Sequence, residues 1–212
     1  MKTSTMFLFA FVVYTTISIP QTQPIDPKVK ASLIEYINTH HQSPEDYILS
    51  KFKDHDMVFL GEYHRIKHDP ELVQQLIPLL HRSGVYYLGF EFARRQEQPM
   101  IDSLLQAQKY DEQLARYIIF KNMVFWGYKE YVDIFKAAWK LNHSLPVGTR
   151  PFRILGLNNS PDWSIVKTPE DGDKYEVMSK VWHGETEEDW AKVLIDVVIN
   201  KREKALVYCG QR

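Results

Sequence analysis

Residues Met57–Leu76, MVFLGEYHRIKHDPELVQQL, decide the fold. The stretch begins with four apolar residues and stops at Gly61. A short continuous apolar run bounded by a turn residue reads as a strand buried on both faces. Glu62, Tyr63 and His64 follow at once, and a helix follows them. Asp69-Pro70-Glu71 supplies a cap, a proline at the first helical position and an acid in the first turn. Leu72, Leu76, Leu79 and Leu80 form the apolar stripe, and Gly84 is the stop.

The same alternation continues outward. Val85–Phe90 (VYYLGF) reads as a second strand, ending in Glu91. Pro99–Ala107 and Asp111–Phe120 read as helices. Tyr128–Leu141 is amphipathic, with Tyr131, Ile134, Phe135, Ala138 and Trp139 on one face. Phe152–Leu157 is a third strand, ending in Asn158-Asn159. Ser160–Lys180, interrupted by Pro161, Pro169 and Gly172, reads as an irregular surface excursion. Thr186-Glu187-Glu188-Asp189 is an acidic capping box before a stripe of Trp190, Val193, Leu194 and Val197. Ala205–Cys209 is a fourth strand, ending at Gly210. Upstream, Lys28–His40 has helical spacing, and Ser43-Pro44-Glu45 opens a short helix. Continuous apolar strands alternating with helices define an α/β class: a three-layer domain with a mostly parallel central sheet and flanking helices. Residues 25–212 are expected to form this single domain.

The N-terminus differs. Met6–Ile19 is uncharged and mostly apolar, and too short for a membrane span of about 20 residues. Behind Lys2, and followed by Thr16-Ile17-Ser18 as a small-x-small cleavage site, it reads as a signal peptide. Residues 1–24 are therefore expected to be signal and linker, and the protein exported: periplasmic, secreted or membrane-associated. A net charge of −1 implies no general attraction to nucleic acid or anionic lipid. The one cysteine, Cys209, excludes an intrachain disulfide and leaves no lipid-attachment cysteine near the signal. In a buried strand it reads as a small hydrophobe rather than a nucleophile.

In open parallel sheets, ligands bind beyond the carboxyl ends of the strands. Those ends carry Glu62, Tyr63 and His64, then Glu91, then Asn158. Glu62, His64 and Glu91 suit three chemistries: ligation of a divalent metal, a carboxylate-oriented histidine base, or haem ligation by His64 or Tyr63. The bland alternative is a buried Glu–His pair holding a turn. His64 and His68 are not expected to be a helical metal pair, because Pro70 disfavours helix at Asp69 and places His68 before the helix start. Arg94 reads as an ion-pair partner of Glu91, Glu97 or Asp102. Arg95 reads equally as that or as an anion-recognising group. His183 reads as a loop histidine.

On these residues the chain resembles the ChaN-like haem-binding proteins of the Tiki and erythromycin-esterase-like superfamily. Val58–His64 is similar to that family's apolar strand with Gly-Glu-x-His. Glu91-Phe92-Ala93 with Arg95, Gln98 and Asp102 resembles its second block. Trp126-Gly127-Tyr128 with Tyr131, Leu157-Asn158, and Ala205–Gly210 resemble the later ones. The resemblance covers roughly residues 50–212 and implies an α/β fold with a strand-end site. It implies haem or iron binding, with Tyr63, His64, His68, Arg95 and Asn158 around the ligand and Glu62 and Glu91 in support. The alternative is a metal-dependent or histidine-based hydrolase of the same superfamily, an esterase or protease, with Glu62, His64 and Glu91 catalytic or metal-binding. A third reading is an inactive relic. The implied partners are a small molecule such as haem and an uptake system at a membrane surface.

The chain departs from the family pattern in three places. The lipoprotein cysteine is missing. Residues 143–152 are longer than the usual link. Gly210-Gln211-Arg212 stops one position short of a Gly-x-x-His motif, which gives the expectation of a C-terminally incomplete fragment.

Overall fold

A computed structural model describes residues 25–122, 127–182 and 186–210. The signal-like segment and Gln21–Pro24, Trp126, His183-Gly184 and Gln211-Arg212 lie outside the described residues. Two compact units are distinguished, one ending at His41 and one beginning at Gln42. The first contains α1 (Pro27–His40), capped by the Asp26 side chain, which accepts the Lys28 N–H at 2.7 Å.

The second unit holds α2 (Pro44–Lys51), β1 (Met57–Glu62), α3 (His68–Arg82), β2 (Tyr87–Arg94), α4 (Gln98–Gln106), α5 (Glu112–Asn122), α6 (Lys129–Ser144), β3 (Arg153–Asn158), α7 (Tyr175–Val181), α8 (Thr186–Val197) and β4 (Ala205–Gly210). The four strands form one parallel sheet in the order β1-β4-β2-β3. The last strand in sequence thus inserts between the first and second. Parallel pairing brings all the carboxyl ends to one edge.

The continuous apolar runs are explained by the two faces. Leu88, Phe90 and Phe92 of β2 and Leu206 and Tyr208 of β4 pack with Leu76, Ile77 and Leu80 of α3 and with Phe135 of α6. The alternate residues Tyr87, Ala205, Val207, Leu155 and Leu157 pack with Leu194 of α8 and with Val198. Each fully buried aliphatic or aromatic side chain contributes about 1.5–3 kcal/mol. The α8 face is incompletely covered at the β1 edge, where Phe59 remains 57% exposed.

Three local expectations are corrected. First, α3 begins at His68 with Lys67 as its cap residue, so His68 is helical while His64 is not. Proline in a first turn sacrifices no hydrogen bond. The Asp69 carboxylate accepts the Tyr63 N–H at 3.2 Å instead of capping its own helix. Second, β2 continues beyond Glu91 to Arg94 through a register shift against β3. Gly156 permits this, since a Cβ there would lie 2.4 Å from the Arg94 carbonyl oxygen. Third, the stretch read as irregular contains α7 and two 3-10 turns, Trp163–Ile165 and Pro169–Asp173. These are too short for periodicity to reveal. The expected stop at Gly84 is present, with φ +79°.

Candidate functional site

Glu62 ends β1 on the face covered by α3 and α6 and is only 1% exposed. A buried carboxylate needs donors, and it has three. The Tyr131 hydroxyl of α6 donates to Oε1 at 2.6 Å, and His64 Nδ1 lies 2.8 Å from the same oxygen. The Tyr208 hydroxyl of β4 donates to Oε2. Burial, and then the Glu62 carboxylate, hold both phenols protonated above the usual tyrosine range, so they stay donors.

His64 stands where this network meets solvent, its side chain 39% exposed. Because an ionised carboxylate only accepts, the proton of a neutral imidazole is assigned to Nδ1, leaving Nε2 as the basic nitrogen. The ring is edge-on to Phe92, with centroids 6.1 Å apart. It also rests against Gly210, where a Cβ would lie 2.4 Å from Cε1 and 2.7 Å from Nε2. The Gly210 N–H donates to Glu91 Oε2. The ends of β1, β4 and β2 are thereby laced together through Glu62, His64, Gly210 and Glu91.

Beside this line is a cleft of about 530 Å³. Met57 and Phe59 of β1 and Trp190, Leu194 and Ile195 of α8 supply its apolar lining. His64, Glu91 and Glu187 supply its polar groups. Cys209 also lines it; burial, then Glu91 and Glu62, push its thiol up to about 11. That resting thiol agrees with the hydrophobe reading.

The structure pairs Glu62 with His64 and sets His64 and Glu91 on one cleft, but separates the other expected ligand groups. Tyr63 is 72% exposed and does not line the cleft. His68 is exposed on α3 and hydrogen-bonds Glu71 at 3.3 Å. Arg95 is exposed in the 3-10 turn Arg95–Glu97 and is not a lining residue. Asn158 accepts from Trp190 Nε1 and donates to Asn122 Oδ1, both at 3.2 Å, so it latches α8 and α5 to the end of β3.

Arg94 donates to the Asn122 carbonyl at 3.1 Å, and of its expected partners Glu97 acts on it through charge attraction, while Asp102 is taken by Arg153. Gln98 holds the β3 backbone through Ile154 O and Gly156 N, and Asp102 pairs with Arg153 through both oxygens. These two positions of the second block are therefore scaffold.

The expected metal set of Glu62, His64 and Glu91 does not form. Among the described residues no three His, Cys, Asp or Glu side chains are grouped to hold a metal ion. Glu62 turns its oxygens toward Tyr131 and Tyr208, whereas Glu91 lines the cleft on the α8 face. Tyr208, Gly210 and Trp190 escaped the sequence reading as site residues. The available signal was the tyrosine in a doubly buried strand, whose hydroxyl needs a partner.

Fold and site together define a parallel α/β protein with a buried-carboxylate–histidine pair at the strand ends, beside an apolar cleft. Residues 48–152 match the family described as haem-binding uptake, Tiki superfamily, ChaN, and over that span the motif-based resemblance is established. No curated protein matches the chain in sequence. Among solved structures, the type III effector HopBA1 is 16% identical, with 80% of this chain and 73% of that one covered, at a TM-score of 0.53. A structure described as bacterial protein toxins is 17% identical over 87% of this chain, at 0.54. RRSP, a MARTX toxin effector domain from Vibrio vulnificus CMCP6, is 18% identical over 80%, at 0.52. The matches cover 34% and 30% of those two toxin chains. At these identities the likeness is one of fold.

Proposed function

We propose that this is an exported haem-binding protein, with His64 as the protein's ligand to the haem iron and the α8–β1 cleft as the seat of the macrocycle. One observation carries the reading: the histidine at the polar end of an apolar cleft is anchored through Nδ1 on a buried, fully hydrogen-bonded carboxylate. The cleft volume lies within the ordinary range for small-ligand sites, about 300–1,000 Å³. A bare ion needs several protein donors, which the described residues do not assemble. Haem brings its own nitrogen donors and asks the protein for one or two. A carboxylate on the far ring nitrogen raises the basicity of a ligating imidazole. Glu91 and Glu187 disfavour haem propionates at that end of the cleft by like-charge repulsion. The matched family's description supports haem among small-molecule ligands. The N-terminal signal-like segment supports export, and the matched family's description supports an uptake-system partner.

A hydrolytic reading draws on the same pair with one added feature, the link to Glu91. The Glu62–His64 pair is also the arrangement of an oriented general base, and Glu91 is tied to it through Gly210. Hemin titration of the purified protein separates the two. A saturable Soret shift is expected for haem binding. No shift, together with His64-dependent turnover of an ester or peptide panel, would replace it with the hydrolase.

A further inference from the structure

We propose that Tyr208 and Gly210, both at the end of β4, are positioning residues that hold the His64 imidazole in one tautomer and one place. The inference rests on the reading of His64 as the acting group, but its test requires no ligand.

Tyr208 works through Glu62. Its hydroxyl meets Oε2, while Oε1 receives Tyr131 and His64 Nδ1. With both oxygens engaged, the carboxylate cannot rotate without breaking hydrogen bonds in a buried setting, where an unmet group is costly. The acceptor facing Nδ1 is therefore fixed, and with it the proton on that nitrogen. Without the Tyr208 donor, Oε2 is left bare in the core and the carboxylate turns to find another.

Gly210 works by space. The ring occupies the volume that a Cβ would need. Its backbone lies outside the left-handed region that favours glycine, so alanine is conformationally acceptable there. The displaced group is the end of a side chain rather than backbone, so the fold survives and His64 moves. One strand thus sets the histidine from two directions, two residues apart.

The test is the ¹⁵N spectrum of His64 in the ligand-free full chain, with hemin affinity measured in parallel. In the wild type, the proton of the neutral imidazole is expected on Nδ1 rather than on Nε2. Tyr208→Phe is expected to shift His64 toward the Nε2–H form that free histidine favours. Gly210→Ala is expected to remove the ring-current shift that Phe92 imposes on the imidazole. Both variants are expected to weaken hemin binding by about 10–100-fold, as losses of supporting contacts do. Tyr87→Phe is the control, since it removes a hydroxyl that accepts from Arg150 and does not touch Glu62. An unchanged His64 tautomer and ring position in both β4 variants would overturn the proposal, as would an equal tautomer shift in the control. Should Tyr208→Phe not fold, Gly210→Ala decides alone: a ring that keeps its place refutes it. Tautomer control without hemin binding would leave this inference standing and remove the haem reading instead.

Discussion

Glu62 and Tyr208 are 146 residues apart in the chain and hydrogen-bonded in the interior. The contact exists because β4 pairs with β1 in a register that sets Leu60 against Tyr208 and Glu62 against Gly210. It ties the residue that anchors His64 to the strand that seats it.

Glu62→Gln tests the weight of that tie. Three donors converge on the carboxylate, and an amide presents only one acceptor oxygen to them. The expected loss is about 1–3 kcal/mol of folding stability, from donors left unsatisfied in the core. Chemical denaturation measures it; a variant as stable as wild type would mean the network contributes nothing to folding.

Gly156→Ala and Gly89→Ala should differ in severity. At Gly156 a new Cβ meets the Arg94 backbone at 2.4 Å, which only main-chain movement relieves. At Gly89 it meets side-chain methyls of Leu157, Val207 and Leu194 at 3.2–3.4 Å. Overpacking costs about 1–3 kcal/mol, and the Gly156 variant is expected at the upper end. Thermal melts that rank the two in the opposite order would contradict the bulge at the end of β2.

Cys209 is the only cysteine, so alkylation reports on the cleft alone. With the thiol raised to about 11, labelling at pH 8 is expected to be slow, to accelerate toward pH 11, and to be suppressed by bound hemin. The stability consequence has a definite sign. The folded state holds this proton more tightly than the unfolded chain, whose thiol has the ordinary value of 9.0. Its contribution is therefore complete below pH 9 and disappears as the pH rises through about 11. Cys209→Ala should flatten that part of the stability profile, and an unchanged slope would refute the assignment.

Asn158→Ala separates latch from ligand. Trp190 Nε1 and Asn122 Oδ1 both lose a partner, at an expected cost of about 1–3 kcal/mol. Hemin affinity of the folded variant is expected to fall only as far as the released Trp190 wall loosens, whereas that of His68→Ala and Arg95→Ala is expected to remain within about threefold of wild type. For the latter two this follows because neither exposed side chain lines the cleft, and surface changes are usually worth at most about 0.5 kcal/mol. A tenfold loss in either of these two would return that residue to the binding site.

Much of the sheet was legible because parallel strands buried on both faces have no polar side to hide. The runs 57–60, 85–90, 152–157 and 205–209 all locate strands, with ends displaced by up to four residues. That Glu62, His64 and Glu91 lie at one edge of the sheet was legible too, since parallel strands end together. Strand order was not. Nothing local in ALVYC says that it inserts between β1 and β2, so the Tyr208 and Gly210 contacts could not be foreseen. The opposite orientations of Glu62 and Glu91 depend on that same register. His68 was misplaced for a local reason: the penalty before proline was weighed above the tolerance of a first turn for it. Tyr208, Gly210 and Trp190 all lie beyond residue 152, where the family match ends.

His64, set by Glu62, is the group that acts on the ligand under the proposed function. Electron paramagnetic resonance of the ferric hemin complex tests it most directly, comparing wild type with His64→Ala and Tyr63→Phe. A histidine-ligated spectrum is expected in the wild type, with its retention in Tyr63→Phe and its loss in His64→Ala. A histidine signature that survives His64→Ala, or a tyrosinate signature abolished by Tyr63→Phe, would contradict that role.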